Sequence, residues 1–519
     1  AGRSFEGPPG NRKPAAFRAE RGGFDFQRSD QGFLHPVCGH RQMAAEPLSF
    51  VRTPAAAAIR FNVIPAGAAL NQSVDNYKQI FQRLGSYDGN MNQPLRTFLA
   101  DLYRIAVAAA HPASCLPALL PPPPSSRLIL IAAGKAAGSM TEVAEAHYLD
   151  KLHIAAERLS GVAVARHGYG RPLRRVRMIE AGHPIPDAAG LEGADRALKL
   201  ADDAGKNDLV LVLMSGGASA NLVAPVQGIS FQDKQAVTRA LLRSGATINE
   251  INVVRKHLSR IKGGRLAAHA HPAKLVTIAI SDVPGDDPSA IGSGPTVPDP
   301  TTLSDARAIV AKYRLEIPEA VTRALEDQRN ESPKAGDPVF ADSKAMLAAR
   351  PAVAMRAAEV AILAAGYECV FIGDRVEGEA REIAAEHARI VRDLRASGRR
   401  AVVLSGGELT VTIRGKGRGG PNQEYALALA MALDGMPAVA AIAADTDGTD
   451  GGAGSPFDPA GALIDGESIA RAKTKGLDPA AFLAENNSSV FFEALGDLLV
   501  PGPTYTNVND FRAIIVDRQ

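Results

Sequence analysis

The chain has 519 residues, 46% hydrophobic and 22% charged, a globular composition long enough for roughly two to four domains. Lys and Arg number 58 against 56 Asp and Glu, and only 5% of residues are aromatic, so there is no basic, ring-studded stripe of the kind that binds nucleic acid. Three scattered cysteines (Cys38, Cys115, Cys369) exclude a zinc site or disulfide framework and fit a reducing cytoplasm; no apolar run approaches the roughly 20 residues that cross a membrane.

Residues 1–90 are rich in Gly, Pro and Arg and carry no sustained helical or strand period, so a disordered leader is expected. Two origins compete: a reading frame extended upstream of Met91, or a targeting arm, against which Glu6, Glu20, Asp25 and Asp30 weigh. From 94 to 108 apolar residues recur at three and four, predicting an amphipathic helix and the start of the folded protein.

Strand-like runs follow at 128–133, 161–165, 176–180, 209–214 and 275–280, separated by helical stretches that include 190–204, 230–244 and 248–268. This alternation predicts an α/β fold with a parallel sheet covered on both faces. Residues 329–342 are turn-rich and mark a boundary; a helix at 352–365, a strand at 368–372, a helix at 378–397 and strands at 401–404, 409–413 and 439–444 come after it.

The chemistry-bearing residues sit where strands empty into loops, the edge at which open α/β sheets bind ligands. Lys135 follows the first strand in Gly134-Lys135-Ala136-Ala137; this is not a Walker A loop, but a lysine beside a helix start suits an anion. Ser215-Gly216-Gly217-Ala218-Ser219 follows the fourth, its glycines letting backbone amides approach an oxyanion. Ser405-Gly406-Gly407-Glu408 repeats the pattern later. In the stretch 248–268, Arg255, Ser259 and Lys262 share a helical face; a cationic surface for substrate anions and a solvated basic face account for them equally well. His183, in Gly182-His183-Pro184, reads first as a turn residue.

Asp282, Asp286 and Asp287 follow the fifth strand; Asp445, Asp447 and Asp450 follow the run at 439–444. Six carboxylates at two strand edges repel one another unless a cation lies between them, and a hard metal ion with a phosphate-bearing substrate is the usual solution. The residues alone therefore point to Mg²⁺-dependent phosphoryl transfer.

Taken in order, Gly134-Lys135-Ala136-Ala137, Gly182-His183-Pro184-Ile185-Pro186-Asp187, Ser215 to Ala220, Asn252 to Ser259, Ser281-Asp282-Val283 through Pro295-Thr296, Asp445-Thr446-Asp447-Gly448 and Gly502 to Asp510 resemble glycerate 2-kinase of the MOFRL family. The resemblance covers about residues 91–516. It implies a Rossmann-like kinase domain (91–335), a connecting α/β segment (336–399) and a smaller MOFRL domain (400–519), with the site in the cleft between them.

It also implies transfer of the ATP γ-phosphate to D-glycerate, with ATP and Mg²⁺ as cofactors, in the cytoplasm, as a chain compatible with a homodimer and with no nucleic-acid or membrane partner. On that basis Lys135, Asp282, Asp286 and Asp445 are the expected catalytic residues. Asp286, Asp445 and Asp447 are the expected metal ligands. Ser215, Gly216, Gly217, Ser219, Arg255, Lys262, Glu408, Arg418 and Asn422 are expected to bind substrate or phosphate. Relatives of this type also carry the name hydroxypyruvate reductase, an activity that would need a nicotinamide site.

Two departures stand out. Where the family reads Gly-Gly-Arg-Asn-Gln-Glu this chain has Gly419-Gly420-Pro421-Asn422-Gln423-Glu424, so Arg418 is the expected substitute for the missing guanidinium. Asn486-Asn487-Ser488-Ser489 stands where an aspartate and a tyrosine are usual.

Overall fold

The computed structural model describes residues 92–452, 455 and 457–518; the expected leader lies outside them. Six strands form a wholly parallel sheet: β1 (Leu128–Ala133), β2 (Leu159–Arg166), β3 (Val176–Ala181), β4 (Leu209–Met214), β5 (Lys274–Ile280) and β6 (Ser343–Ala349). Their order is β3-β2-β1-β4-β5-β6, the doubly wound Rossmann order, whose direction reverses between β1 and β4. Every residue of β1 and β4 is buried, which is why both read as unbroken apolar runs rather than alternating ones.

A second sheet is mixed, with the order β11-β10-β9-β12-β8-β7. It contains β7 (Glu368–Gly373), β8 (Ala401–Gly407), β9 (Val439–Asp445), β10 (Gly461–Asp465), β11 (Leu498–Leu499) and β12 (Asp510–Val516). Within it β7 and β8 run parallel and the other pairs antiparallel.

The helices that bear on the site are α1 (Asn92–Ala110), α2 (Ala137–Glu145), α3 (Ala188–Asp202), α4 (Phe231–Arg243), α5 (Ile248–His257), α6 (Arg265–Ala270), α7 (Pro351–Ala364), α8 (Ala380–Ala396) and α9 (Pro421–Ala432). Capping boxes start α4 (Ser230, Asp233) and α5 (Thr247, Glu250), each satisfying amide groups that the first turn leaves free. No helix among the described residues is long and apolar enough to cross a membrane.

Three expectations are corrected. The helix expected over 248–268 is two helices: Ser259 Oγ accepts from the amides of Ile261 and Lys262 at 3.3 Å, and Gly263 turns with φ +58°, so α5 ends at His257. The side chain thus offers the backbone an alternative to helical bonding. The strand at 409–413 shrinks to Leu409–Thr410, paired with Gly378–Glu379.

The expected boundaries also fall differently. β6 completes the first sheet, whereas α7 and β7, in the same expected connecting segment, belong with the second. Helix α1, from the amino-terminal side, packs on the second sheet: Arg96 pairs with Asp465 (2.8 Å) and Asp497 (2.6 Å), and Phe98 stacks on Tyr367. One apolar core runs through both sheets, from Leu130 and Ile278 to Ile442 and Phe511, so the seam between them is a rigid place to build a site.

Candidate active site

The carboxyl ends of β1, β4 and β5 meet the carboxyl end of β9 at this seam. Lys135, just after β1, extends its ammonium to Asp447 Oδ2 at 2.5 Å, both side chains being largely buried. Burial opposes the charge on Lys135, but Asp447, Asp445 and Asp282 outweigh it and hold the ammonium well above its ordinary range. The pair is anchored on both sides. Asp447 Oδ1 accepts from the Thr449 amide, and the Asp447 amide donates to Asp445 Oδ1. Tyr169 and Tyr103 donate their hydroxyls to the carbonyls of Asp447 (3.3 Å) and Asp445 (2.8 Å).

Ser215 is fully buried, and its Oγ accepts the Ala136 amide at 2.9 Å, so this hydroxyl braces the lysine turn. A Cβ at Gly134 would overlap Ser215, and one at Gly216 would overlap the Asp282 carboxylate and the Asn507 amide. The Ser-Gly-Gly loop is thus packed hard against the carboxylate centre. Gly217 faces His183 and the Lys135 stem. Burial, reinforced by Lys135, Arg166 and Arg255, lowers His183 to about 3, which leaves its ring neutral.

The last loop supplies residues that the strand-edge reading did not single out. Asn507 Nδ2 donates to Asp282 Oδ2 (2.7 Å) and Asn509 Nδ2 to the Asp282 carbonyl (2.6 Å). Asp510 lies directly across from Asp445 in the β9–β12 ladder and from Gly407 in the β8–β12 ladder. Its carboxylate takes bonds from Arg512 (2.8 Å) and Asn422 (2.6 Å). Burial raises Asp282, Asp445 and Asp510, and Asp447 adds to the first two. The only cue in the sequence is the Thr506-Asn507-Val508-Asn509-Asp510 run itself; its proximity to Asp282 depends on β12 inserting between β8 and β9.

The metal-ligand expectation fits in chemistry. The centre has more buried carboxylate than cation, and a divalent ion would relieve that excess. Among the described residues no group of three or more His, Cys, Asp or Glu side chains is arranged to hold a metal. Asp286 stands apart, in a narrow crevice with Asp374, Arg375, Glu377, Glu408 and Asn509; its Oδ1 is buried with no partner among the described residues and its Oδ2 lies 3.5 Å from Arg350. Glu408 opens to solvent on one side, yet crowding by protein and the charges of Asp510 and Asp282 push its carboxyl up to about 7.

A second cluster is cationic. The Ser219 carbonyl accepts from Lys262 Nζ (2.9 Å) and Arg255 (3.2 Å), so these two converge although they share no helix face. Ser219 Oγ lies 2.7 Å from Ser293 Oγ. Lys262 is 1% exposed, and burial, with Arg255 and Lys234 nearby, drives its ammonium well below the ordinary range. Lys234 caps the end of α5 through the carbonyls of Leu258 and Arg255. Neither Arg255 nor Lys262 has a carboxylate partner among the described residues.

Arg418 and Asn422 are not brought to this space. Arg418 is exposed, 3.4 Å from Glu493. Its loop is pinned by Asn486 Oδ1, which accepts from the amides of Arg414 and Gly415, and by Asn487 Oδ1, which accepts from Arg418. Both asparagines of the second departure therefore shape the glycine-rich loop. Pro421 is the first residue of α9, a position that needs no amide donor. Asn422 is buried, bridging Asp450 and Asp510.

Residues 98–326 match a domain of unknown function, DUF4147, and residues 401–510 match the MOFRL family. A protein of Agrobacterium vitis named "Putative hydroxypyruvate reductase" is 46% identical, over 81% of this chain and 94% of its own length. The glycerate 2-kinase of Pyrococcus horikoshii is 41% identical over 75% of this chain and 87% of its own. This chain belongs to the glycerate 2-kinase family that joins a DUF4147 domain to a MOFRL domain. The crystal structure of glycerate kinase from Thermotoga maritima, 36% identical, matches the fold over 82% of this chain and all of its own, with a TM-score of 0.72.

Proposed function

We propose that this family member is an ATP-dependent D-glycerate 2-kinase that forms 2-phospho-D-glycerate. The observation that carries the reading is the Lys135–Asp447 pair, which sets three buried carboxylates and a lysine at the switch point of a Rossmann sheet. Phosphoryl transfer asks for positioning and charge stabilisation more than for covalent chemistry.

In this reading Arg255 and Lys262 hold phosphate oxygens, aided by the Ser219 and Ser293 hydroxyls. Lys135 keeps Asp447 ionised and offers positive charge to the transferring phosphoryl group. Asp282 and Asp445, both raised by burial, orient the glycerate hydroxyl, and one of the two accepts its proton as the new P–O bond forms and the bond from the γ-phosphorus to the bridging oxygen of ADP breaks. Asp445 and Asp447 would hold magnesium, whose chemistry is to offset charge on the phosphates. Glu408 lines the crevice where a hydroxyl-rich group fits better than an anion. All of these residues come from one chain, so a homodimer would carry two whole sites; the free thiols of Cys115 and Cys369 agree with a cytoplasmic enzyme.

Hydroxypyruvate reduction lacks equivalent support. A nicotinamide dinucleotide needs an open glycine turn after β1, and here Ser215 and Gly216 cover that turn. Incubation with D-glycerate, ATP and Mg²⁺, and separately with hydroxypyruvate and NADH, tests the choice. ADP release that depends on D-glycerate, with no NADH oxidation, is expected; the reverse pattern rejects the proposal.

A further inference from the structure

Arg166 is the last residue of β2, on the same sheet edge as Lys135. It is 7% exposed. Its guanidinium carbon lies 5.2 Å from the centroid of the Tyr169 ring, and among the described residues its side chain has neither an ion pair nor a hydrogen bond. A buried guanidinium without a counter-ion is costly, and such a charge is retained where a ligand supplies the opposite one. Its surroundings identify the space it faces. The Tyr169 hydroxyl donates to the Asp447 carbonyl, and Arg166 acts on His183 together with Lys135 and Arg255. Through Tyr169, Arg166 is therefore one ring away from the Lys135–Asp447 pair.

We propose that Arg166 binds the carboxylate of the hydroxy-acid substrate through a two-pronged guanidinium–carboxylate pair, seated on the Tyr169 ring. The inference rests on the glycerate kinase reading and says which end of the acceptor is held where. A single planar fork stacked on a ring matches a planar, singly charged carboxylate. The two cations and two hydroxyls around Ser219 match a tetrahedral, multiply charged phosphate better. With its carboxylate at the β2 edge, the acceptor reaches toward Asp282 and Asp445 with its hydroxyl.

The test compares the full chain with Arg166→Gln and Arg166→Lys, measuring D-glycerate binding by calorimetry without nucleotide, and KM for D-glycerate and for ATP. Arg166→Gln should raise the Kd and KM for D-glycerate about 10²-fold, as loss of one partner of a desolvated charge pair does. The KM for ATP should stay within about 2-fold and the melting temperature should change little, because no ion pair or hydrogen bond within the protein is lost. Arg166→Lys should recover part of the affinity. Unchanged D-glycerate binding in Arg166→Gln, or a rise confined to the KM for ATP, overturns the proposal. If Arg166→Gln does not fold, Arg166→Lys decides: a several-fold rise in the KM for D-glycerate supports the fork, and an unchanged value overturns it. A wild-type protein that neither binds nor phosphorylates D-glycerate would instead fail the kinase reading itself.

Discussion

Lys135 and Asp447 meet at 2.5 Å across the seam between the two sheets, so one ion pair both joins the layers and forms the heart of the site. Lys135→Met strands a buried carboxylate. Stability should fall by about 3–5 kcal/mol, the range for removing one partner of a buried pair, and kcat/KM by roughly 10²–10³-fold. Adding Asp447→Asn should restore most of the stability and none of the activity. Thermal melts and kinetics of the two single variants and the double variant check this; a Lys135→Met protein that melts like wild type would deny the pair its structural part.

Arg418→Ala should be nearly silent. The side chain is exposed and its one partner, Glu493, is 3.4 Å away in solvent, an arrangement worth about 0–1 kcal/mol. kcat/KM within about 2-fold of wild type is expected. A large loss would mean that the loop swings Arg418 inward during turnover.

The contrast between Lys135 and Arg418 marks what was legible in the sequence. Lys135, Asp282, Asp445 and Asp447 follow apolar runs that are buried strands, and strand ends on one sheet edge are neighbours whatever their separation in the chain. Arg418 was assigned by nearness in sequence to Pro421, and the loop held by Asn486 and Asn487 turns it away. Arg255 and Lys262 do converge, but through the break at Ser259 and not through a shared helix face. The placement of Arg166, Asn507, Asn509 and Asp510 could not be read from the sequence because it depends on strand order: β2 beside β1, and β12 between β8 and β9. The packing of α1 on the second sheet is set likewise by Arg96 finding Asp465 and Asp497.

Gly216→Ala tests the close approach of the Ser-Gly-Gly loop. The added methyl would overlap Asp282 and Asn507, displacing the carboxylate expected to orient the acceptor hydroxyl. A shift of about 1 Å in such a group costs on the order of 10²-fold in rate. We expect that loss in kcat with a smaller change in the KM for ATP; wild-type kcat would show that Asp282 has room to spare.

Glu408 should leave a mark on pH profiles. Its folded carboxyl titrates at about 7 against an ordinary 4.5, so the folded state binds the proton more tightly than the unfolded one. The stability it contributes is complete below about pH 4.5 and is lost as pH rises through 7. Wild-type melting temperature should therefore decline between about pH 5 and 8 more than that of Glu408→Gln, and the ionisation near 7 in kcat/KM should vanish in the variant. Parallel profiles for the two proteins would assign that ionisation elsewhere.

In the kinase reading this seam transfers a phosphoryl group to the 2-hydroxyl of D-glycerate. The most direct measurement is ³¹P NMR of the wild-type protein with D-glycerate, ATP and Mg²⁺, using ¹H–³¹P coupling to identify the esterified carbon. ADP together with a phosphate ester on C2 is expected, and no such ester with Lys135→Met at equal protein and time. An ester on C3, or ATP left intact while the same preparation oxidises NADH with hydroxypyruvate, would contradict it.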